Sequence, residues 1–281
     1  MPLAKPLMLP LRILAGRFPG LARFYRNIRD QLDFMKQAII TPWGFKLAGN
    51  RLMSGGFFEP SETKLVRKLL KDVDILVNVG ANIGYYCCHA LSMGKQAIAF
   101  EPMQRNLRYL YQNIKINNWS GVEIYPIALS NSIGVLEIYG QDTGASIIKG
   151  WAGIPESYVT LVSASTMDVV LGRRLNGKKV LFVVDVEGAE KLVLEGAENI
   201  LSNDPKPIWI VEITAEEHQP QAILINPNLK HTFQLFFKNG YQAFNIDEGM
   251  LPVTTDDVDL ASRGDLKFFT HSFLFTKSEV I

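Results

Sequence analysis

The sequence predicts an α/β domain built on a doubly wound, mostly parallel sheet that closes on an antiparallel final strand, preceded by an N-terminal helical extension. Three observations predict it. Apolar runs such as Val180-Leu181-Phe182-Val183-Val184 are continuous rather than alternating, as strands covered on both faces require. These runs alternate with segments of helical periodicity, the pattern of parallel crossovers. The last two runs, 241–246 and 268–275, have only 247–267 between them and no good helix there, which fits an antiparallel closing hairpin.

The elements follow in order. Residues 1–20 are broken by Pro2, Pro6, Pro10, Pro19 and Gly20, and such punctuation predicts irregular chain. From Leu21 to Ile39 apolar residues recur at helical spacing, opposite Arg23, Arg26, Arg29, Asp33 and Lys36. Thr41-Pro42 ends that helix, because the residue before proline disfavours the α region. Trp43–Leu47 forms a short hairpin over the domain entrance, and Ser61 caps a helix running to Leu70. Strands are then expected at 75–79, 97–100, 122–127, 180–184 and 208–213, with 134–139 extending the third as a hairpin. Helices are expected at 85–93, 104–117, 189–201 and 229–239. The chain divides into an extension, 1–58, and a main domain, 59–281.

At 281 residues, 47% hydrophobic and 20% charged, the chain has the profile of a folded globular protein. Its formal net charge of +1 gives no global reason to expect a nucleic-acid partner. Residues 1–40 nevertheless hold seven Lys and Arg against two Asp, a local +5. A basic amphipathic helix over 21–40 could make peripheral contact with an anionic membrane, or pack its apolar stripe on the main domain. No run approaches the roughly 20 apolar residues of a spanning helix. Cys87 and Cys88 are the only cysteines; they read as small core residues, and the lack of a disulfide framework suits the cytoplasm.

The sharpest local signal is Val77-Asn78-Val79-Gly80-Ala81-Asn82-Ile83-Gly84-Tyr85. A buried strand ends in a turn of small residues that opens a helix, where the backbone can approach a ligand and free N–H groups point outward. In open α/β sheets the ligand crevice lies at such strand ends. The next strand ends at Phe100-Glu101-Pro102, placing a carboxylate where it can accept both hydroxyls of a ribose. A dinucleotide fingerprint needs glycine where Asn82 stands. S-adenosylmethionine has no pyrophosphate, and its amino-acid tail suits Asn78, Asn82 and the Gly80 backbone. Ala128, at the tip of the third strand, would border an adenine. A nicotinamide-dependent oxidoreductase is the alternative that Asn82 opposes.

This pattern resembles the FkbM-type methyltransferases. The resemblance is carried by Val79–Tyr86, by Ala99-Phe100-Glu101-Pro102 with Asn106 and Asn113, and by Ala128-Leu129-Ser130. Thr166-Met167-Asp168, Val184-Asp185-Val186-Glu187-Gly188-Ala189-Glu190, Leu194–Ala197 and Val211-Glu212-Ile213 continue it, over about residues 41–246. It implies a class I methyltransferase (Rossmann-like) fold, S-adenosylmethionine as cofactor, and O-methylation, often of a sugar or polyketide hydroxyl. On it, Asn78, Val79, Gly80, Ala81, Asn82, Gly84, Tyr85, Glu101, Pro102, Asn106 and Ala128 are the cofactor residues. Two positions depart from the family's usual residues: Asn78 stands for aspartate, and Val183 for lysine.

Methyl transfer needs an acceptor oxygen placed near the methyl and relieved of its proton. Asp185 and Glu187 follow the fourth strand, Glu212 ends the fifth, and His218 lies in the loop beyond; these four are the candidate catalytic residues. Glu190 is expected to favour the first turn of its helix. As an oxygen-rich set the four could hold a metal, but only Asp185 and Glu187 are close in sequence, so no metal is expected from spacing. His89, His231 and His271 read as structural. Trp151 and Tyr158, in the long loop 141–158, suit contact with a glycan or small-molecule acceptor, and Trp151 equally suits anchoring that loop. N-methylation of an amine, or a cofactor-binding scaffold without turnover, are the other readings that the residues leave open.

Overall fold

The computed structural model describes residue 34 and residues 37–140, 144–247 and 249–277. The irregular stretch 1–20 and most of the expected helix over 21–40 lie outside the described residues. A hairpin of β1 (Ile39–Ile40) and β2 (Lys46–Leu47) leads through α1 (Arg51–Gly55) into α2 (Pro60–Leu69). Then follow β3 (Ile75–Val79), α3 (Tyr85–Ser92), β4 (Gln96–Phe100), α4 (Gln104–Ile116) and β5 (Val122–Tyr125). Next come β6 (Ala128–Leu129), β7 (Gly134–Tyr139), β8 (Val159–Ser165), α5 (Met167–Leu171), β9 (Val180–Val184), α6 (Glu190–Glu195), α7 (Glu198–Leu201) and β10 (Ile208–Glu212). The last elements are α8 (Leu229–Phe237), β11 (Gln242–Asn245), β12 (Leu251–Val253), α9 (Thr255–Arg263) and β13 (Ser272–Thr276).

The central sheet runs β12-β11-β13-β10-β9-β3-β4-β5. Strands β5, β4, β3, β9 and β10 are parallel to one another. Strand β13 is antiparallel to both β10 and β11. This is the expected class I methyltransferase order, with an antiparallel last strand inserted beside the fifth parallel one.

Side chains of successive strand residues point to opposite faces, and here both faces are covered. Val77, Val79, Phe182, Val184, Trp209 and Phe273 meet the helices α5 to α9. Leu76, Leu181, Val183, Ile210 and Leu274 face α2, α3 and α4. Phe45, Leu47 and Met53 join this second core, so the hairpin and α1 pack directly on the sheet-covering helices. Asn113 of α4 clasps the same segment, accepting from the Ala48 N–H (2.8 Å) and donating to its carbonyl (3.1 Å). Cys87 and Cys88 are fully buried, as expected.

Local expectations fail at five places, the first being the end of the expected N-terminal helix, where Ile39–Ile40 is strand β1. Segment 247–267 does contain a helix, α9: Thr254 and Asp257 form a reciprocal capping box at its start, a signal that outweighs the polar composition. Strand β7 does not extend the third strand; it pairs with β8 in a separate sheet of order β6-β8-β7. The expected helix over 189–201 divides into α6 and α7 around Gly196. A Cβ there would lie 2.1 Å from the Ser130 carbonyl oxygen, so β6 presses on that turn. The cap of α2 is Glu59 with Pro60 in the first turn, not Ser61, and no side chain makes a capping bond; proline itself suits that position.

Candidate active site

At the end of β3, Gly80 opens the turn with φ +77°. Its N–H donates to the Phe100 carbonyl (2.9 Å). A Cβ at Gly80 would stand 1.8 Å from the Asp185 carbonyl oxygen. Only glycine therefore lets β3 and β9 leave the sheet side by side. Asn82 is also left-handed (φ +51°), a conformation asparagine tolerates better than most residues. That geometry aims its N–H at Glu101 Oε2, 2.8 Å away.

Glu101 at the tip of β4 is 3% exposed. Its carboxylate accepts from the backbone N–H groups of Asn82 and Met103, both at 2.8 Å, and from the Asn106 amide at 3.3 Å. Burial pushes its pKa up, and those three hydrogen bonds oppose the rise. The cleft beyond is bordered by Val79, Gly80, Asn82, Glu101, Pro102, Asn106, Ala128, Asp185 and Glu187, with Met103, Ile127 and Leu129 as its apolar wall. Three oxygens of cleft residues, Asn82 Oδ1, Asn106 Oδ1 and Asp185 Oδ1, are buried without a hydrogen-bond partner. All are acceptors, so this cleft calls for a ligand rich in donors. Ribose hydroxyls and an ammonium group beside an apolar ring meet that demand.

A flap covers one side. Trp151 is 2% exposed, and its indole N–H donates to Glu187 Oε2 (2.8 Å). The Ser146 hydroxyl donates to the Glu187 carbonyl (2.5 Å). Gly188 lies under the indole, where a Cβ would come within 2.5 Å of the ring. Trp151 thus anchors the flap to the exit of β9, the second of its two expected roles, and its buried ring is not available to stack on an acceptor. Ala145 and Ile147 of the same segment reach the cleft wall.

Strand alternation builds a second feature beside the cleft. Val183 and Ile210 face the α2–α4 side, so Asp185 and Glu212, two residues further on, keep that face at the strand tips. Ser272 pairs with Glu212 across the antiparallel step. From above, Glu59 and Glu62 at the start of α2 and Tyr86 of α3 close the pocket. The Tyr86 hydroxyl donates to Glu59 Oε2 (2.8 Å), and Ser272 donates to Glu62 Oε2 (2.7 Å). Burial, then the neighbouring carboxylates, push Glu59 and Glu212 up to about 9. Burial and the nearby charges of Glu212 and Glu187 push Asp185 well above the usual carboxylate range. Among the described residues none of these carboxylates forms an ion pair with Lys or Arg.

Seven of the expected cofactor residues border the cleft; Asn78, Ala81, Gly84 and Tyr85 do not. Asn78 is buried in the sheet, its amide donating to the Val183 carbonyl (3.3 Å) and its oxygen accepting from the Cys87 thiol (3.8 Å). Tyr85 turns into the core against Trp43, Phe58 and His89; its neighbour Tyr86 takes the site-facing position. Ala81 is buried in the core, and Gly84 caps α3 with φ +84°. Of the catalytic candidates, Asp185 and Glu187 border the cleft and Glu212 joins the carboxylate pocket. His218 is exposed and contributes its carbonyl, which accepts from the Ala152 N–H of the flap (2.7 Å). His89 is fully buried and structural. His271 is not merely structural: it lies beside Glu59 and Glu212. Glu59, Glu62, Tyr86 and His271 were missed because they converge from the two ends of the domain.

The family profile described as the methyltransferase FkbM domain matches residues 78–243. Among curated proteins none matches this chain in sequence. Solved structures similar to it include a precorrin-6y C5,15-methyltransferase from Geobacter metallireducens GS-15 (9% identity, 82% of this chain, 91% of that one, TM-score 0.40). Another is WbdD (11% identity, 89% of this chain, 42% of that one, TM-score 0.47). A third is Aeropyrum pernix fibrillarin with natively bound S-adenosyl-L-methionine (14% identity, 75% of this chain, 73% of that one, TM-score 0.39). With the profile spanning more than half of the sequence, from the strand before the glycine turn to β11, the chain belongs to the FkbM methyltransferase family, and S-adenosylmethionine is its methyl donor.

Proposed function

We propose that this enzyme methylates a hydroxyl oxygen of a sugar, glycolipid or related small metabolite. The observation that carries the reading is Asp185: a buried carboxyl oxygen without a partner, at the border between the cleft and the carboxylate pocket. Asn82, Glu101 and Asn106 would hold the ribose of the cofactor, and the Met103–Ile127–Leu129 wall its adenine. When bound, S-adenosylmethionine supplies an electrophilic methyl group on a sulfonium. An acceptor hydroxyl held against Asp185 would be the nucleophile for that methyl group, leaving its proton to be removed. Asp185 Oδ1 would orient the acceptor hydroxyl and, in its ionised form, take its proton. Glu187 holds the flap through Trp151 and Ser146 and so keeps water out. Nothing in the net charge of +1 favours a nucleic-acid acceptor.

Calorimetric titration with S-adenosylmethionine, S-adenosylhomocysteine and NADH tests the cleft. The two sulfur nucleosides should bind in the micromolar range and NADH not at all; binding of neither would overturn the assignment. Transfer of a tritiated methyl group into glycans, glycolipids and amines tests the acceptor. Label in an alkali-stable ether supports the hydroxyl, and label confined to amines refutes it.

A further inference from the structure

We propose that Glu59, Glu212 and His271 bind a divalent metal ion of the manganese or zinc type at the acceptor end of the cleft. One carboxylate oxygen from each glutamate and one imidazole nitrogen lie within 4.8 Å of one another. Ligands at about 2.1 Å from a shared ion stand roughly 3–4 Å apart, so small side-chain movements complete the set. Among the described residues no other trio of His, Cys, Asp and Glu ligand atoms comes this close.

The three residues come from separate elements that the fold holds in place. Glu59 precedes α2 in a left-handed conformation (φ +37°). Glu212 ends β10. His271 precedes β13, and its carbonyl accepts from the Ile213 N–H (2.6 Å), which fixes it opposite the end of β10. The Tyr86 hydroxyl orients Glu59 from outside the trio, as supporting groups do around metal ligands.

Two further observations point to a cation. Asp185, at the tip of the strand that pairs with the strand of Glu212, keeps Oδ1 buried with no hydrogen-bond partner. Among the described residues, no Lys or Arg forms an ion pair with Glu59, Glu62, Asp185, Glu187 or Glu212. So many carboxyl groups in a partly dehydrated pocket either stay protonated or ionise around a shared cation. An imidazole with two carboxylates suits manganese, iron or zinc better than the all-oxygen cages of calcium. Three protein ligands leave positions open, where an acceptor hydroxyl oxygen could sit and become more acidic. The ion's role rests on the proposed hydroxyl acceptor; its presence does not.

The test uses the full chain, stripped with chelator and titrated with MnCl2 while the electron paramagnetic resonance of free Mn²⁺ is followed. About one equivalent should bind to the wild type, with or without S-adenosylhomocysteine. Glu59→Gln and His271→Ala should each weaken Mn²⁺ at least tenfold while S-adenosylhomocysteine affinity stays within threefold. Circular dichroism checks that both variants fold. If either does not, a Mn²⁺-dependent rise in wild-type melting temperature that Glu212→Gln abolishes serves in its place. No Mn²⁺ bound at millimolar concentration, or equal binding by the folded variants, would overturn the proposal. In that event, retained S-adenosylhomocysteine binding would leave the methyltransferase cleft standing, whereas loss of cofactor binding in the wild type would count against the cleft instead.

Discussion

Replacing Glu101 with glutamine keeps the shape of the side chain and removes its charge. In the wild type, Oε1 accepts from the Met103 N–H and the Asn106 amide, and Oε2 accepts from the Asn82 N–H. Glutamine offers a single carbonyl oxygen. Whichever way the amide lies, its NH2 must face a donor, most simply the Asn82 N–H formerly 2.8 Å from Oε2. A hydrogen bond to a charged group contributes about 1.5–3 kcal/mol, and leaving a buried donor unpaired costs a similar amount. The same substitution takes a charged acceptor away from the ribose. We therefore expect S-adenosylhomocysteine to bind more weakly by about 2–3 kcal/mol, or roughly 30- to 150-fold. Because the Asn82 link also braces the glycine turn, the melting temperature should drop by several degrees. Calorimetry on Glu101→Gln at neutral pH measures the first effect, and circular dichroism the second. Affinity within threefold of wild type, in a variant that melts cooperatively, would refute the ribose assignment.

Two further outcomes follow from the flap and from burial. Trp151→Phe keeps the ring but deletes the N–H that reaches Glu187, a loss of about 1–2 kcal/mol. Limited proteolysis within 140–158 should accelerate, and an unchanged cleavage rate would show that the indole bond does not hold the flap. Glu190 is 3% exposed, and burial raises its pKa from 4.5 to about 7. Its folded value exceeds its unfolded one, so the stability it contributes is complete below pH 4.5 and is lost as pH rises through 7. The shift corresponds to about 3 kcal/mol. Urea unfolding of Glu190→Gln should lack that part of the fall between pH 4.5 and 7; parallel curves for the two proteins would refute the burial.

Much of the fold is legible because its signals are local. Continuous apolar strands can only be two-sided, and Gly80 is demanded by one carbonyl oxygen of the neighbouring strand. The helix α9 hides because its information sits in two residues, Thr254 and Asp257, within an otherwise polar stretch. The cleft half of the site is equally legible, since Gly80, Asn82 and Glu101 belong to consecutive strand tips. The carboxylate pocket is not. It joins residue 59 to residues 212 and 271, and only the sheet order β13-β10-β9 brings those positions together. Alternation predicts that Asp185 and Glu212 share a face once β9 and β10 are known to be neighbours; it cannot say that Glu59 descends on them from α2.

Register also changes how the two departures from the family's usual residues are read. In the sequence, Asn78 and Val183 look like separate losses of charge, the first at the cofactor's ammonium group and the second in the region of the reaction. In the sheet they are direct neighbours on β3 and β9, and the Asn78 amide donates to the Val183 carbonyl. An aspartate at 78 and a lysine at 183 would be adjacent in the same buried interior, where a lone charge is costly and a pair is tolerated. Losing both together leaves neither unpaired, and the neutral Asn78 is satisfied by the backbone on one side and the Cys87 thiol on the other. The two positions constitute one exchange within the sheet. Neither borders the cleft, so the exchange leaves the unpartnered oxygens of Asn82, Asn106 and Asp185 in place. That weighs against a lapsed scaffold, because a cleft freed from binding a ligand has no physical reason to keep three buried acceptors waiting for donors.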